Sequence, residues 1–296
     1  MLMFGAFLAG LLVVGAIFLL SGQGGAPSAL APPPASRTPQ SQASQVAPQP
    51  AARTPQSSGP QGLPPPAAPV VPRLAIVVDG FGYEPSRDAE WLKLPATITA
   101  AVIPFGPSSR RMAESARARG WGVILHVPME PETPSADRTE RFRIRRGMSA
   151  DEMDALLARM AENLPQARGA SNHMGSAVTA DAQAMDSYVS ALKKRGFFLL
   201  DSVTTSRSVA LEAAQRAGVP AARRDVYLDA RRNPEEVRRQ WERAVAIARE
   251  RGAAVVICQG RMESLRMMLE LLPRLTNQKI QTVTLEELLL GKKTEG

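Results

Sequence analysis

The sequence predicts an α/β fold built on a parallel sheet. Three observations carry that expectation. From Arg73 almost to the C-terminus, short apolar runs alternate with amphipathic stretches of helical period over roughly 220 residues. Runs such as Ala254-Val255-Val256-Ile257-Cys258 are apolar throughout, as expected where both faces of a parallel strand are covered. Several helical stretches end on glycine just before the next apolar run, at Gly120, Gly196, Gly218 and Gly252, which suits a left-handed helix terminus.

Taken in order, the chain begins with twenty residues, Met1 to Leu20, that carry no charge and almost nothing polar. At about 1.5 Å per residue they would span the roughly 30 Å hydrocarbon core of a bilayer. They lack the basic leader of a cleaved signal peptide and are long for its apolar stretch. The segment therefore reads as a transmembrane signal-anchor in the inner membrane, with a cleaved signal as the alternative. The first basic side chain is Arg37, so charge flanking does not fix orientation. Residues 21–72 hold 14 of the 25 prolines and repeat Arg-Thr-Pro-Gln-Ser from Arg37 and from Arg53. A Pro/Ala/Gln-rich stretch of this kind cannot bury enough apolar surface to offset its ordering, and is expected to be a disordered linker. Its reach would be on the order of 40 Å, enough to carry a domain off the bilayer.

The domain is expected over residues 73–292. Strands are predicted at Leu74–Val78, Ile98–Ile103, Val123–Val127, Gly169–Asn172, Phe197–Leu200, Pro220–Ala222, Ala254–Cys258 and Ile280–Val283. Helices are predicted at Ser108–Arg119, Ser149–Asn163, Thr179–Arg195, Ser206–Ala217, Pro234–Arg251 and Met262–Leu275. Ser149-Ala150-Asp151-Glu152 reads as a capping box, and Asn233-Pro234 puts proline at a first helical position. A closed or partly closed barrel and an open doubly wound sheet both fit this alternation. In either, polar residues at the carboxyl ends of strands face the usual ligand site.

Composition narrows the chemistry. Hydrophobic residues make up 44 %, enough for a sizeable core. A lone cysteine, Cys258, excludes an internal disulfide framework and any multi-cysteine zinc site. The net charge of +8 includes basic runs at Arg141–Arg146 and Arg238-Arg239, but no nucleic-acid motif accompanies them. They read as solvated faces, and nucleic acid is not an expected partner.

The chain has two histidines, and both fall at predicted strand ends. His126 closes the third strand and His173 the fourth; Asp79 closes the first and Asp201 the fifth. Imidazoles and carboxylates gathered on one rim could hold a divalent cation, and zinc accepts such ligands while leaving a position open for water. An acid such as Asp79 could then serve as base.

Five segments together resemble the divergent polysaccharide deacetylase family. They are Leu74–Gly82, Leu125–Pro131, Asn172–Ser176, Leu200–Ser202 and Arg224–Asp229, and the resemblance covers about Arg73 to Leu289. It implies a distorted (β/α) barrel of seven or eight parallel strands. It also implies metal-dependent hydrolysis of acetyl groups on a cell-envelope glycan, probed at Asp79, Asp201 and Gln259 as catalytic positions, with His126, His173 and Glu130 as metal ligands. Two departures stand against the family pattern. Gly80 occupies the place of a second consecutive acid, and Gln259 that of a histidine near the end of the seventh strand. Glu130 is the candidate replacement ligand. Two readings follow: a membrane-tethered, extracytoplasmic deacetylase, and a catalytically degenerate member that binds a glycan or an envelope protein.

Overall fold

The computed structural model describes residues 71–135 and 139–291. These belong to one compact unit, Pro64–Gly296. The expected anchor, and the expected linker as far as residue 70, lie outside the described residues. Among the described residues no helix is long and apolar enough to cross a membrane.

In chain order the elements are β1 (Arg73–Phe81), α1 (Pro85–Trp91), β2 (Thr99–Val102), α2 (Ser109–Ala118), β3 (Gly122–Met129), a single 3-10 turn (Glu140–Phe142), α3 (Ala150–Asn163) and β4 (Gly169–Met174). They continue with α4 (Ser176–Thr179), α5 (Ala182–Lys194), β5 (Phe198–Asp201), α6 (Ala210–Ala217), β6 (Ala221–Arg223) and β7 (Val226–Tyr227). The last are α7 (Pro234–Arg251), β8 (Ala253–Gln259), α8 (Met262–Asn277), β9 (Gln281–Val283) and α9 (Leu285–Leu290).

Helix boundaries follow local chemistry. The capping box at α3 is made: Ser149 Oγ accepts from the Glu152 amide, and Glu152 accepts from the Ser149 amide. Asn233 Oδ1 accepts from the amides of Glu235 and Glu236 at the start of α7, which ends on Gly252 at φ 81°. The helix predicted from Thr179 begins instead at Ala182, where Asp181 caps α5 by accepting from the Ala184 amide, and the separate short helix α4 ends at Thr179. The helix predicted from Ser206 begins at Ala210. The short helices α1, α4 and α9 span too few turns to register as a helical period.

All pairings are parallel, in the order β6-β5-β4-β3-β2-β1-β8-β7, with β9 pairing the start of β1. The expected seven or eight strands become nine because the sheet gains β7, only two residues long. Alternation along each strand divides the core. Leu74, Ile76 and Val78 pack outward with Trp91, Tyr188 and Trp241 of the helices, all fully buried. Ala75, Val77, Ile124, Phe198, Leu200 and Ile257 fill the inner face. Burial of each such large aliphatic or aromatic side chain contributes about 1.5–3 kcal/mol. The inner layer is tight: a Cβ on Gly169 would come within 2.5 Å of the Phe198 ring.

The curved sheet forms a partial barrel whose outer edges are bridged by one segment. β6 pairs with β5 and β7 with β8. Between them the Arg224 amide donates to Asp201 O, and the Asp225 amide to Val255 O. One short stretch of chain therefore joins strands at opposite ends of the sheet order, and it does so beside the inner-face polar residues.

Candidate functional site

Strand parity sets which side chains meet. On β1 the inward series Ala75, Val77 continues to Asp79, and on β3 Ile124 continues to His126. On β4, Ala170 faces the outer core, so Ser171 and His173 face inward; on β8, Val255 and Ile257 lead to Gln259. Register then aligns them. His126 lies beside Ser171, and Asp79 beside Gln259.

A chain of polar contacts results. Ser171 Oγ and His126 Nδ1 are 2.9 Å apart, and His126 Nε2 and His173 Nδ1 are 3.2 Å apart. Asp79 Oδ2 lies 3.9 Å from His126 Nε2. The imidazole of His126 is buried, whereas His173 is half-buried at the opening. Burial, and then the adjacent His173 ring, hold His126 well below its ordinary pKa, so it is neutral near pH ~7. Burial, and then the Asp229 carboxylate, push Asp79 up to about 7, while Arg261, Arg224 and Arg87 pull it down. Asp79 is thus poised to exchange a proton near neutral pH.

These groups line a cavity of about 270 Å³, shared with Asn172, Arg224, Tyr227 and Gln259. Gln259 Nε2 donates to the Tyr227 hydroxyl at 2.5 Å. The buried Asp229 carboxylate holds the end of β8 from behind: it accepts from the Gln259 amide at 3.0 Å and from Ser264 Oγ. Arg224 donates to Ser202 O and Val203 O, and its guanidinium lies over the Tyr227 ring, 5.0 Å from the centroid. Asn172 stiffens the rim, donating to Met174 O and accepting from the Ser202 amide. Met174 itself sits at φ 54°, a strained value for a side-chain-bearing residue.

Of the six positions singled out from the sequence, four converge: Asp79, His126, His173 and Gln259 line the cavity. Two do not. Asp201 follows inward-facing Leu200 and falls on the outer side of its strand, where it is buried and Oδ1 accepts from the Val203 amide. That bond supports Val203 at φ 53°, a backbone role. Glu130 lies just past β3; its Oε2 accepts from the Arg146 amide, away from the two imidazoles. Ser171 was not singled out, and Arg224, Tyr227 and Asp229, which fall in the resembling segment Arg224–Asp229, were assigned no role in the site. The Ser171-x-His173 spacing was the available signal, because a period of two on a strand puts both on one face.

The donor set fits a divalent ion in part. Two imidazole nitrogens each at about 2.0–2.1 Å from one zinc in near-tetrahedral geometry would lie close to the 3.2 Å found between His126 and His173. The pair fits as two ligands. Among the described residues no set of three His, Cys, Asp or Glu side chains meets ligand geometry, and Asp79 stands nearest to completing one.

Residues 76–289 match the model of the divergent polysaccharide deacetylases. The chain belongs to that family. The Escherichia coli K12 protein YibQ is 38 % identical to this chain over 185 residues, covering 62 % of this chain and 57 % of that protein. The matched region therefore spans little more than half the length of that relative. A Haemophilus influenzae relative is 35 % identical over 196 residues, covering 66 % of this chain and 69 % of its own. Among solved structures, the Agrobacterium tumefaciens C58 protein ATU2773 superposes with a TM-score of 0.70 at 24 % identity, over 73 % of this chain and 88 % of that one. That likeness concerns the fold.

Proposed function

We propose that the domain is a carbohydrate deacetylase acting on acetylated sugar at the Asp79–His126–His173 cavity. The observation that carries this reading is the 3.2 Å approach of two imidazoles from separate strands beside a carboxyl pushed up to about 7. A divalent ion, zinc by the character of the donors, would be held by His126 and His173 and would supply Lewis acidity at the acyl carbonyl. The chain's own groups do the rest. Ser171 fixes the His126 ring, and Asp79 takes a proton from the water that attacks the acyl carbon and passes it to the sugar nitrogen or oxygen that departs as its bond to that carbon breaks, leaving acetate. Tyr227, hydrogen-bonded to Gln259, is a hydroxyl donor facing the same space.

A second reading rests on a different observation. Gln259 carries an amide where the family pattern has a titratable histidine, and Gly80 carries no side chain at the second acidic position. Under it the cavity binds a glycan or an envelope protein without hydrolysing it. One experiment separates the two. Full-length protein is incubated with acetylated chitin oligomers and with peptidoglycan, with added zinc or with chelator, and free acetate is measured. Zinc-dependent acetate release that is lost in His126→Ala supports the hydrolase; saturable binding with no acetate release supports the binding module.

The apolar N-terminus and proline-rich segment support an extracytoplasmic, membrane-tethered placement. Protease added to intact spheroplasts should then cut between residues 21 and 72. Full protection would put the domain on the other side of the membrane.

A further inference from the structure

Among the described residues, one cation of the Asp79 cavity has no counter-ion. Arg224 lines the cavity and is half-buried, yet it forms no ion pair with any described carboxylate. Its guanidinium is fixed in place. Nε donates to Ser202 O at 2.7 Å, Nη2 donates to Val203 O at 3.0 Å, and the Tyr227 ring lies against its flat face. These bonds engage one edge of the fork, and the Nη1 end keeps its donors. Arg261, whose charge also reaches Asp79, likewise forms no ion pair among the described residues, whereas Arg87 is paired with Glu84 at 3.1 Å.

Ser202 adds a second unused donor. It lines the same cavity, its carbonyl is one of the two that hold Arg224, and its Oγ is buried without a hydrogen-bond partner. Buried hydroxyls are seldom left so.

The acids nearby do not neutralise Arg224. Asp201 is turned to the outer side of β5, where its Oδ2 lies 3.9 Å from Arg223 Nε. Asp79 faces the cavity but comes within ion-pair distance of His126, not of Arg224. Pushed up to about 7, it is also only partly charged near neutrality. Burial lowers the pKa of Arg224, and a cation part-way out of water gains more from an anion than an exposed one. A held guanidinium edge beside a hydroxyl suits the anionic oxygens of a carboxylate or phosphate. A neutral pyranose would leave the charge unmatched.

We infer that, given the glycan reading above, the cavity selects an acidic sugar: its carboxylate or phosphate rests on Arg224 Nη1 and Ser202 Oγ while its acetyl group meets Asp79 and the two imidazoles. Calorimetry on the full chain tests this with N-acetylglucosamine, with N-acetylmuramic acid, which carries a carboxylate, and with N-acetylglucosamine 6-phosphate. At least one charged sugar should bind about tenfold or more tightly than the neutral one, and the better of the two identifies the anion. That advantage should shrink as salt is raised. The methyl ester of N-acetylmuramic acid should bind like the neutral sugar, a comparison that leaves the protein untouched. In Arg224→Gln the ratio of charged to neutral affinity should fall toward one, and Arg224→Lys should restore part of it. Ser202→Ala should lower the ratio about threefold. Circular dichroism checks that the variants fold; if one does not, the ester comparison still decides. Equal affinity for neutral and charged sugars, or a preference that persists in the ester or in folded Arg224→Gln, overturns the selection while leaving the glycan reading in place. Failure of all three sugars to bind the wild type removes both.

Discussion

His173 Nδ1 faces His126 Nε2 at 3.2 Å although 47 residues separate them in the chain. Their strands pair in parallel, with His126 beside Ser171, so the second imidazole reaches the first from one inward position further along β4. Two ring nitrogens this close cannot both carry a proton toward each other; one must accept. The same approach suits shared coordination, and this ambivalence underlies the first prediction.

Purified protein, stripped and reloaded, is expected to take up one equivalent of zinc with modest affinity. His126→Ala and His173→Ala should each weaken uptake by at least about tenfold. Elemental analysis after equilibrium dialysis gives the stoichiometry. Zinc bound equally well by both variants would place it elsewhere in the molecule.

Gly80→Asp should supply a third ligand at small structural cost. There is room for the side chain, and aspartate accepts positive φ for about 1–2 kcal/mol. Zinc affinity should rise about tenfold or more. Combined with Gln259→His, acetate release from acetylated sugars should appear or increase. Tighter metal binding without any gain in hydrolysis would mean that the proton-donating position lies elsewhere.

In metal-free protein two groups should pull stability in opposite directions. Asp79 keeps its proton in the folded state up to about 7, above the value of ~4 for an unfolded aspartate. Its contribution is therefore greatest at low pH and is lost as pH rises from ~4 toward ~7. His126 is depressed, so the unfolded chain binds a proton that the folded one refuses; stability falls as pH drops below ~6.5. Asp79→Asn removes only the first effect. Its stability relative to wild type should grow by about 2 kcal/mol between pH ~5 and ~8 in urea titrations with chelator present. Parallel pH profiles for the two proteins would refute the assignment.

Asp229→Ala should cost roughly 2–4 kcal/mol, because the Gln259 amide and Ser264 hydroxyl both lose their buried acceptor. Asp229→Asn, which keeps one acceptor oxygen, should cost less. Denaturant midpoints compared across the two variants check the order.

Much of this architecture is written in local pattern. The strands β1 and β8 are legible because both faces are covered and the apolar runs are unbroken, and α3 and α7 because their caps are spelled out. His126, His173 and Asp79 could be placed at strand ends without coordinates. Asp201 was harder. One residue of parity separates the inner face at Leu200 from the outer face it occupies, and a strand of four residues gives little alternation to count. Glu130 lies beyond the end of β3, where the chain's path to Arg146, not any sequence period, sets its direction. Arg224 and Tyr227 fall in a segment that carries the family resemblance, but without a strand to set their direction, β7 being only two residues long, they could not be given a place in the site.

The stretch that stitches the two sheet edges together also presents Arg224 to the cavity. Its amide is one of the stitches, and its guanidinium is part of the lining. Any guest that grips that guanidinium also loads the joint. Recognition and the mechanical integrity of the curl are thereby fastened to a single side chain, and occupancy should slow deuterium uptake at the amides of residues 221–227.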